Sequence, residues 1–440
     1  MSTADPVSDA RAALAAGDAR AAFVALRPAL AWNTLPDDDA AWTARLSLFA
    51  DIARAIAGDA LAARVRASAS APSNPQAHYD LGYALYEQSL YDVAAAVLMR
   101  ANRLAPGQKP IVTELSACLE GTMQYGVAAL TLGASGLHQS DPMCAYLYGF
   151  NSLMSGDLDA ARAALPRVVG GDATTSTMRD ALAGMLARAD AIHAVAPLGD
   201  AELTGWHAAI NATVLLHESP HGLDAGMHGR YAYVGDSPGL MREGVERLLT
   251  LLHGEGIAVP RVVSAPDRAS QILAAALAAT ARARWSVWSA GDTQPGVVCA
   301  WDLDAVGDAG FLQAMRFHAP GQVLFAHVSR WVEPFPYAPD VTTLLAQTAT
   351  HPYTGGAMRV DPKTHAVAPA EPDTRDTAAL AGEVTVAPIT DPSARGVDVP
   401  QRVARSCRSL SPDARLGLHR ASGHRARQRA GGPVTSNYFR

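Results

Sequence analysis

Hydrophobic positions in the first half of the chain recur at helical spacing. Residues 75–108 hold two amphipathic segments within one 34-residue window. Small Gly82 and Ala94 stand where two helices would have to approach closely, and larger residues such as Leu98 fill the space between them. Pro106 ends the second segment, because proline cannot continue a helix. The pattern predicts a helix-turn-helix unit whose apolar face is buried only by neighbouring units.

The same arrangement recurs in the windows that begin at Lys109 and Pro142. Further upstream the tetrapeptide AGDA occurs at residues 16–19 and again at residues 57–60, each time between alanine-rich segments. Glycine suits the end of one helix and aspartate caps the next, so both tetrapeptides predict helix-helix corners. We therefore predict a helical array over residues 3–194, with a capping helix over residues 177–194.

The windows over residues 75–175 resemble the tetratricopeptide repeat. The resemblance implies an α-solenoid whose concave groove holds a protein or peptide partner. The basic residues that clamp a terminal carboxylate in some members are absent from these windows. An alternative is that the chain's own C-terminal domain occupies the groove. The groove positions implied by the resemblance are Tyr79, Tyr83, Tyr86, Glu87, Tyr146, Phe150, Leu153 and Met154.

From about residue 199 the helical period gives way to short apolar runs rich in valine and tryptophan. Strands are predicted over residues 257–264, 285–289, 297–301 and 323–328, and the first two flank an alanine-rich helix over residues 267–283. Strand, helix and strand in this order predict a small α/β domain over residues 199–365. A further helix is predicted over residues 342–347, capped by Asp340.

Residues 366–440 are predicted to be a linker followed by a disordered, arginine-rich tail. Residues 401–440 carry nine arginines and one aspartate, a net charge of +8, so the first 400 residues carry −14 of the total of −6. An acidic body argues against nucleic-acid binding by the folded part, because phosphate neutralisation needs a basic face.

No cofactor is predicted, although two groups of polar residues are candidates for a divalent metal. Asp302 and Asp304 end an apolar run, where two carboxylates can point the same way at the end of a strand. His217 and His221 lie in a glycine-rich loop with a carboxylate between them. Loop histidines that bind no metal, and Asp304 as a helix cap, are the alternatives.

A third candidate is an anion site in the loop over residues 264–270. Arg268 and Ser270 stand at the predicted start of a helix, whose free N–H groups attract anions, and Arg230 could add a second positive charge. A GxSxG match at residues 235–239 is interpreted as a turn, because Pro238 has no N–H to donate to an oxyanion.

The fold class predicted is thus multidomain α plus α/β. The four cysteines are scattered and suggest neither zinc nor disulfides, and no segment is long and apolar enough for a signal peptide or membrane span, so a cytoplasmic location is expected. The function predicted is a protein-interaction scaffold. The alternative is an enzyme with a metal-dependent or anion-binding site in the α/β domain, whose repeats recruit the substrate.

Overall fold

The structure, a computed structural model, describes residues 5–220, 226–356, 358–360, 365–389, 398–420, 428 and 432–436. The chain divides into two compact units, Met1–Arg179 and Asp180–Arg440. The sequence predicted the change of character between residues 194 and 199, whereas the division falls earlier, inside a helix.

The first unit is helical throughout its described residues. Its helices are α1 (Pro6–Ala15), α2 (Ala19–Leu30), α3 (Asp39–Ala57), α4 (Asp59–Ser70), α5 (Pro75–Glu87), α6 (Tyr91–Leu104), α7 (Lys109–Gly121), α8 (Tyr125–Ser135), α9 (Pro142–Met154) and α10 (Leu158–Ala164). A longer helix, α11 (Ala173–His193), continues past the division between the units.

Glycine-aspartate corners separate several of these helices, as the sequence predicts. Gly17 has φ +84° and the Asp18 side chain accepts a hydrogen bond from the N–H of Ala21, which caps α2. Asp157 caps α10 in the same way after Gly156. At the second AGDA corner Gly58 itself is the N-cap, so that corner lacks a side-chain cap.

Each helix from α1 to α10 packs against its neighbours along the chain, and α7 also contacts both α5 and α9. A core of leucine, alanine and aromatic side chains runs from α1 to α8. Within it Gly82 on α5 lies directly under Leu98 on α6, the close approach that the small residue permits. An ion pair of 2.9 Å between Arg27 and Asp92 also joins α2 to α6.

The second unit combines helices with a parallel sheet. Its strands are β1 (Val214–Leu215), β2 (Tyr231–Gly235), β3 (Arg261–Ser264), β4 (Arg284–Val287), β5 (Gly296–Asp302), β6 (Gln322–Arg330), β7 (Val341–Thr350), β8 (Met358–Val360) and β9 (Val367–Pro369). Its further helices are α12 (Leu203–Asn211), α13 (Pro238–Gly254), α14 (Arg268–Ala281), α15 (Ala309–Met315), α16 (Thr377–Val386) and α17 (Asp398–Ser406).

The main sheet has the strand order β1-β7-β6-β5-β3-β4, with every pair parallel, and β2 pairs with the second half of β7. From β3 the chain crosses through α14 to β4, whereas from β5 it crosses through α15 in the opposite direction to β6. Because parallel crossovers are right-handed, α14 and α15 cover opposite faces of the sheet. The fold is therefore of mixed α plus α/β class, as predicted.

The prediction of a helix over residues 342–347 is wrong, because this segment belongs to β7. Its β-branched residues Val341, Thr342 and Thr343 are fully buried between neighbouring strands, where such side chains pack well. Asp340 caps no helix. Its carboxylate accepts the N–H of Leu324 at 2.8 Å and pairs with His318 at 2.9 Å, which ties β6 to the start of β7.

The prediction of a disordered tail is also wrong for residues 398–420, which are folded and include α17. Val403 and Leu416 are fully buried. Glu255, at the end of α13, pairs with His419 at 3.0 Å and with Arg405 at 3.4 Å. Residues 421–427, 429–431 and 437–440 lie outside the described part, so the prediction for them stays a prediction. Among the described helices, none has the length and apolar character needed to cross a bilayer.

Candidate functional site

A row of tyrosines lies along one side of α5. The ring centroids of Tyr79 and Tyr83 are 6.4 Å apart, and those of Tyr83 and Tyr86 are 6.5 Å apart. The spacing of four and then three residues puts the three rings on one face of the helix. Tyr83 is 44% exposed and the other two rings are half-buried. The three tyrosines of α5 therefore form a connected aromatic surface.

Carboxylates border this row. Burial and the neighbouring charge of Glu87 raise the pKa of Glu114, which projects from α7. Glu114 in turn contributes, after burial, to the raised pKa values of Tyr79 and Tyr86. Neither Glu87 nor Glu114 forms an ion pair with any described residue. We call Tyr79, Tyr83, Tyr86, Glu87 and Glu114 the tyrosine-acid face.

A cavity of about 490 Å³ opens beside this face, between α4 and α5. Tyr79, Tyr83 and Asp80 line it from α5, and Arg64 and Ala67 line it from α4. Two of the three tyrosines thus have free space next to them, which a partner side chain can enter.

The groove positions predicted in α9 are placed differently. Tyr146 is half-buried and stacks on Phe150 with centroids 5.9 Å apart. Phe150, Leu153 and Met154 are only 6%, 0% and 1% exposed. These three side chains pack inside the unit and do not extend the exposed tyrosine row, because bulky apolar residues at these positions fill space between helices.

A polar cluster between α7 and α9 was not anticipated from the sequence. The Asn151 amide donates to Glu120 Oε1 at 2.6 Å and to Ser116 Oγ at 3.4 Å. Burial raises the pKa of Glu120 to about 7, although the hydrogen bonds that Asn151 and Ser116 donate to its carboxylate oppose the shift. Asn151 is fully buried and its Oδ1 has no hydrogen-bond partner among the described residues. The two polar residues in the otherwise apolar run GFNSLM, Asn151 and Ser152, were the available signal.

In the second unit, Asp302 ends β5 at the carboxyl edge of the sheet, as predicted. Its carboxylate is almost fully buried and pairs with Arg330, at the end of β6, at 3.2 Å. Burial raises its pKa to about 6, with a smaller contribution from Asp304, while Arg330 acts in the opposite direction. Asp302 caps the short turn at Leu303–Ala305, and Asp308, rather than Asp304, caps α15.

The loop over residues 264–270 follows β3 at the same edge, next to β5. Its polar groups are largely engaged. Ser270 Oγ accepts the N–H of Trp301 at 2.9 Å. Arg268 donates to the backbone carbonyls of Asp373 and Arg375, at 2.9 and 2.5 Å. The Asp267 carboxylate occupies the start of α14, since it accepts the N–H of Ser270.

In the histidine-rich loop, His217 follows β1, which is separated from β5 by β7 and β6. His217 donates or accepts hydrogen bonds at both ring nitrogens, to Glu243 at 3.0 Å and to Tyr231 at 2.7 Å. Its backbone N–H binds Thr343 near the start of β7, seven residues before the strand ends. The next residue of β7, Leu344, is level with Val328 and Asp302 in the sheet, so His217 lies across the sheet from Asp302, three strand spacings or about 14 Å away. Arg230 is fully buried and donates to the carbonyl of Val434. His221 lies outside the described residues.

The part of the chain that the structure describes contains no group of three histidine, cysteine, aspartate or glutamate side chains placed to hold a metal. Asp302 and Asp304 lie next to each other, since Asp302 accepts the backbone N–H of Asp304 at 3.0 Å. Neither His217 nor a third carboxylate joins them to form a metal-binding group.

Another buried cluster at the carboxyl edge went unnoticed in the sequence. Asp236, after β2, accepts the indole N–H of Trp301 at 2.6 Å and lies 3.4 Å from His327 Nε2. The His351 ring meets Trp301 edge-on, and burial lowers its pKa to about 4. These residues are spread over more than 100 positions, so no local motif could reveal them.

Comparison with known proteins adds no assignment to these sites. No family model matches the chain, and no curated protein matches it.

Proposed function

We propose that the chain is a protein-interaction scaffold whose first unit is an α-solenoid of the tetratricopeptide type. Support comes from the pairing of successive helices, from the contacts of α7 with α5 and α9, and from small residues at the helix crossings. In such an array the first helix of each pair faces the groove, and the tyrosine-acid face lies on first helices, α5 and α7.

The partner that suits this face is a basic peptide. The observation that carries this proposal is the row of Tyr79, Tyr83 and Tyr86 on α5, bordered by two glutamates without an ion-pair partner among the described residues. A lysine or arginine side chain beside Glu114 would oppose the burial and the charge of Glu87 that together raise its pKa. It would also lie against tyrosine rings, which attract cations by about 0.5–1 kcal/mol at exposed sites.

Fluorescence anisotropy with the full chain tests this proposal. The probe is a labelled peptide of alternating arginine and leucine, compared with its glutamate counterpart. We expect the basic peptide alone to bind, and its affinity to fall with added salt, because exposed charges are screened. Tyr79→Ala with Tyr83→Ala, and separately Glu87→Gln with Glu114→Gln, should each weaken binding about tenfold or more.

The matched controls are Tyr233→Ala, in the second unit, and Asp9→Asn, at an exposed position of α1, and both should leave the affinity unchanged. Equal binding of the acidic peptide, or affinity retained in both double variants, would show that the tyrosine-acid face is not the binding surface.

A further inference from the structure

Strand β4 is an open edge of the main sheet. It pairs with β3 on one side, and no described strand pairs with it on the other. The N–H of Trp288 binds the carbonyl of Ser264, whose register partner in β4 is Val287. Alternate residues bond to a given neighbour in a parallel ladder, so Ser286 and Trp288 are the residues that bond to β3. The N–H and C=O groups of Trp285 and Val287 therefore point to the open side.

The side chains of β4 are accessible as well. All four residues, Arg284–Val287, are exposed, and Trp285 and Val287 keep 39% and 41% of their surface in contact with solvent. Because side chains alternate along a strand, these two lie on one face of the sheet and Ser286 lies on the other. An unpaired backbone edge with apolar side chains beside it is a template for pairing with a further strand.

The arrangement of β4 complements itself. In an antiparallel pair, residues that exchange hydrogen bonds both point to the shared edge, and in β4 these are Trp285 and Val287. Placing Trp285 opposite Val287 of a second copy gives this pairing in both directions, and aromatic and β-branched side chains stabilise each other across strands. In the neighbouring registers Val287 would face Ala283, or Trp285 would face Ser289, so a large apolar side chain of each copy would lose its partner.

Charge favours the same register. Arg284 is exposed, and no described acidic residue pairs with it. In this register Arg284 lies opposite Trp288 of the second copy, and an aromatic ring attracts a cation. The two Arg284 residues are four positions apart, about 13 Å along the strands, which exceeds the screening length of about 10 Å at 0.1 M salt. Each guanidinium thus meets a ring and not a like charge.

We propose that β4 is a self-association edge, to which a second copy of this chain adds its own β4 in antiparallel orientation, with Trp285 opposite Val287. A twofold axis then passes between Ser286 and Ser286 of the second copy, and the two sheets continue into each other. Because one short strand forms the contact, the dimer is reversible and depends on protein concentration. This edge lies in the second unit and does not depend on the peptide-binding role proposed for the first.

Cysteine cross-linking of the full chain tests the register. The four native cysteines are buried and contribute little background. Ser286→Cys places two thiols opposite each other at the axis in a non-hydrogen-bonded pair, where Cα atoms are about 4.5 Å apart, within the range of disulfides. We expect mild oxidation to convert this variant to a covalent dimer on a non-reducing gel. The matched control, Ser289→Cys, is equally exposed but lies beyond the strand and should remain monomeric.

Sedimentation velocity over a wide range of protein concentration tests the contacts. The wild type should shift from monomer to dimer as the concentration rises. Trp285→Lys and Val287→Glu each remove both apolar pairs and should weaken the dimer about tenfold. The double variant should recover it, because each lysine then faces a glutamate of the second copy.

Circular dichroism establishes that each variant is folded. A wild type that stays monomeric at every concentration, equal cross-linking of Ser286→Cys and Ser289→Cys, or dimerisation that neither Trp285→Lys nor Val287→Glu weakens would overturn the proposal.

Discussion

Gly82 lies so close to α6 that a Cβ atom at this position would fall 2.5 Å from Leu98 Cγ. Replacing it with leucine should overpack the crossing of α5 and α6 and lower the free energy of unfolding by about 1–3 kcal/mol. Thermal unfolding followed by circular dichroism measures the loss. Gly126→Ala is the control, because its added Cβ meets only Ser155, at 3.8 Å. Equal melting temperatures for Gly82→Leu and the wild type would refute the close packing.

Asp302 makes stability depend on pH. Its pKa is raised from 3.8 to about 6 in the folded protein, so the folded state binds its proton more tightly than the unfolded state does. The protonated Asp302 contributes about 2–3 kcal/mol to the free energy of unfolding. This contribution is complete below pH 4 and is lost as the pH rises to about 6. Relative to the wild type, Asp302→Asn should therefore gain stability between pH 4 and pH 7. Chemical unfolding at both pH values measures this, and a difference that stays constant with pH would contradict the shift.

Single residues also mark what the sequence could predict. Asp18 and Asp157 were identifiable as caps, because a cap depends on its immediate neighbours in the chain. The meeting of Asp236, Trp301 and His351 was not, because it depends on how the strands are ordered. A helix cap can be predicted from a few adjacent residues, whereas a site formed by several strand ends can be predicted only when the strand order is known.

Among the elements, the segment over residues 398–420 carries a clear expectation for stability. Leu416 is fully buried within the second unit, while Ser409 is exposed. Leu416→Ala should cost about 2–5 kcal/mol, as do other truncations of buried leucine, and Ser409→Ala should cost almost nothing. Differential scanning calorimetry of the full chain compares the two. The same melting temperature for both variants would mean that the segment is not docked.

Helices with strong spacing were predictable, since the windows that begin at Pro75, Lys109 and Pro142 each hold two helices, α5 to α10. The helix expected at residues 342–347 was instead part of β7, because burial between parallel strands outweighs the short apolar spacing that suggested a helix. The arginine-rich composition of the tail suggested disorder, although the tail contains a few apolar residues such as Val403 and Leu416. These side chains are buried, and Arg405 and His419 pair with Glu255, so α17 and the residues after it are held in the second unit.

For the whole molecule, composition and periodicity were sufficient to predict a helical unit followed by an α/β unit. The acidic charge of residues 1–400 and the basic charge of residues 401–440 suggested that the C-terminal segment does not pack on the rest of the chain. Arg405 and His419 nevertheless pair with Glu255 in the second unit. The boundary was harder to place, since α11 is continuous across the division and no break in helical pattern marks it.

The central claim is that the tyrosine-acid face binds a basic peptide, and NMR of tyrosine ring signals tests it most directly. The full chain is labelled on its tyrosine rings, signals are assigned with single Tyr→Phe variants, and the arginine-leucine peptide is added. We predict that the signals of Tyr79, Tyr83 and Tyr86 shift together and saturate, while those of Tyr233 and Tyr353 in the second unit stay in place. Shifts confined to the second unit, or none at the three α5 tyrosines, would contradict the account.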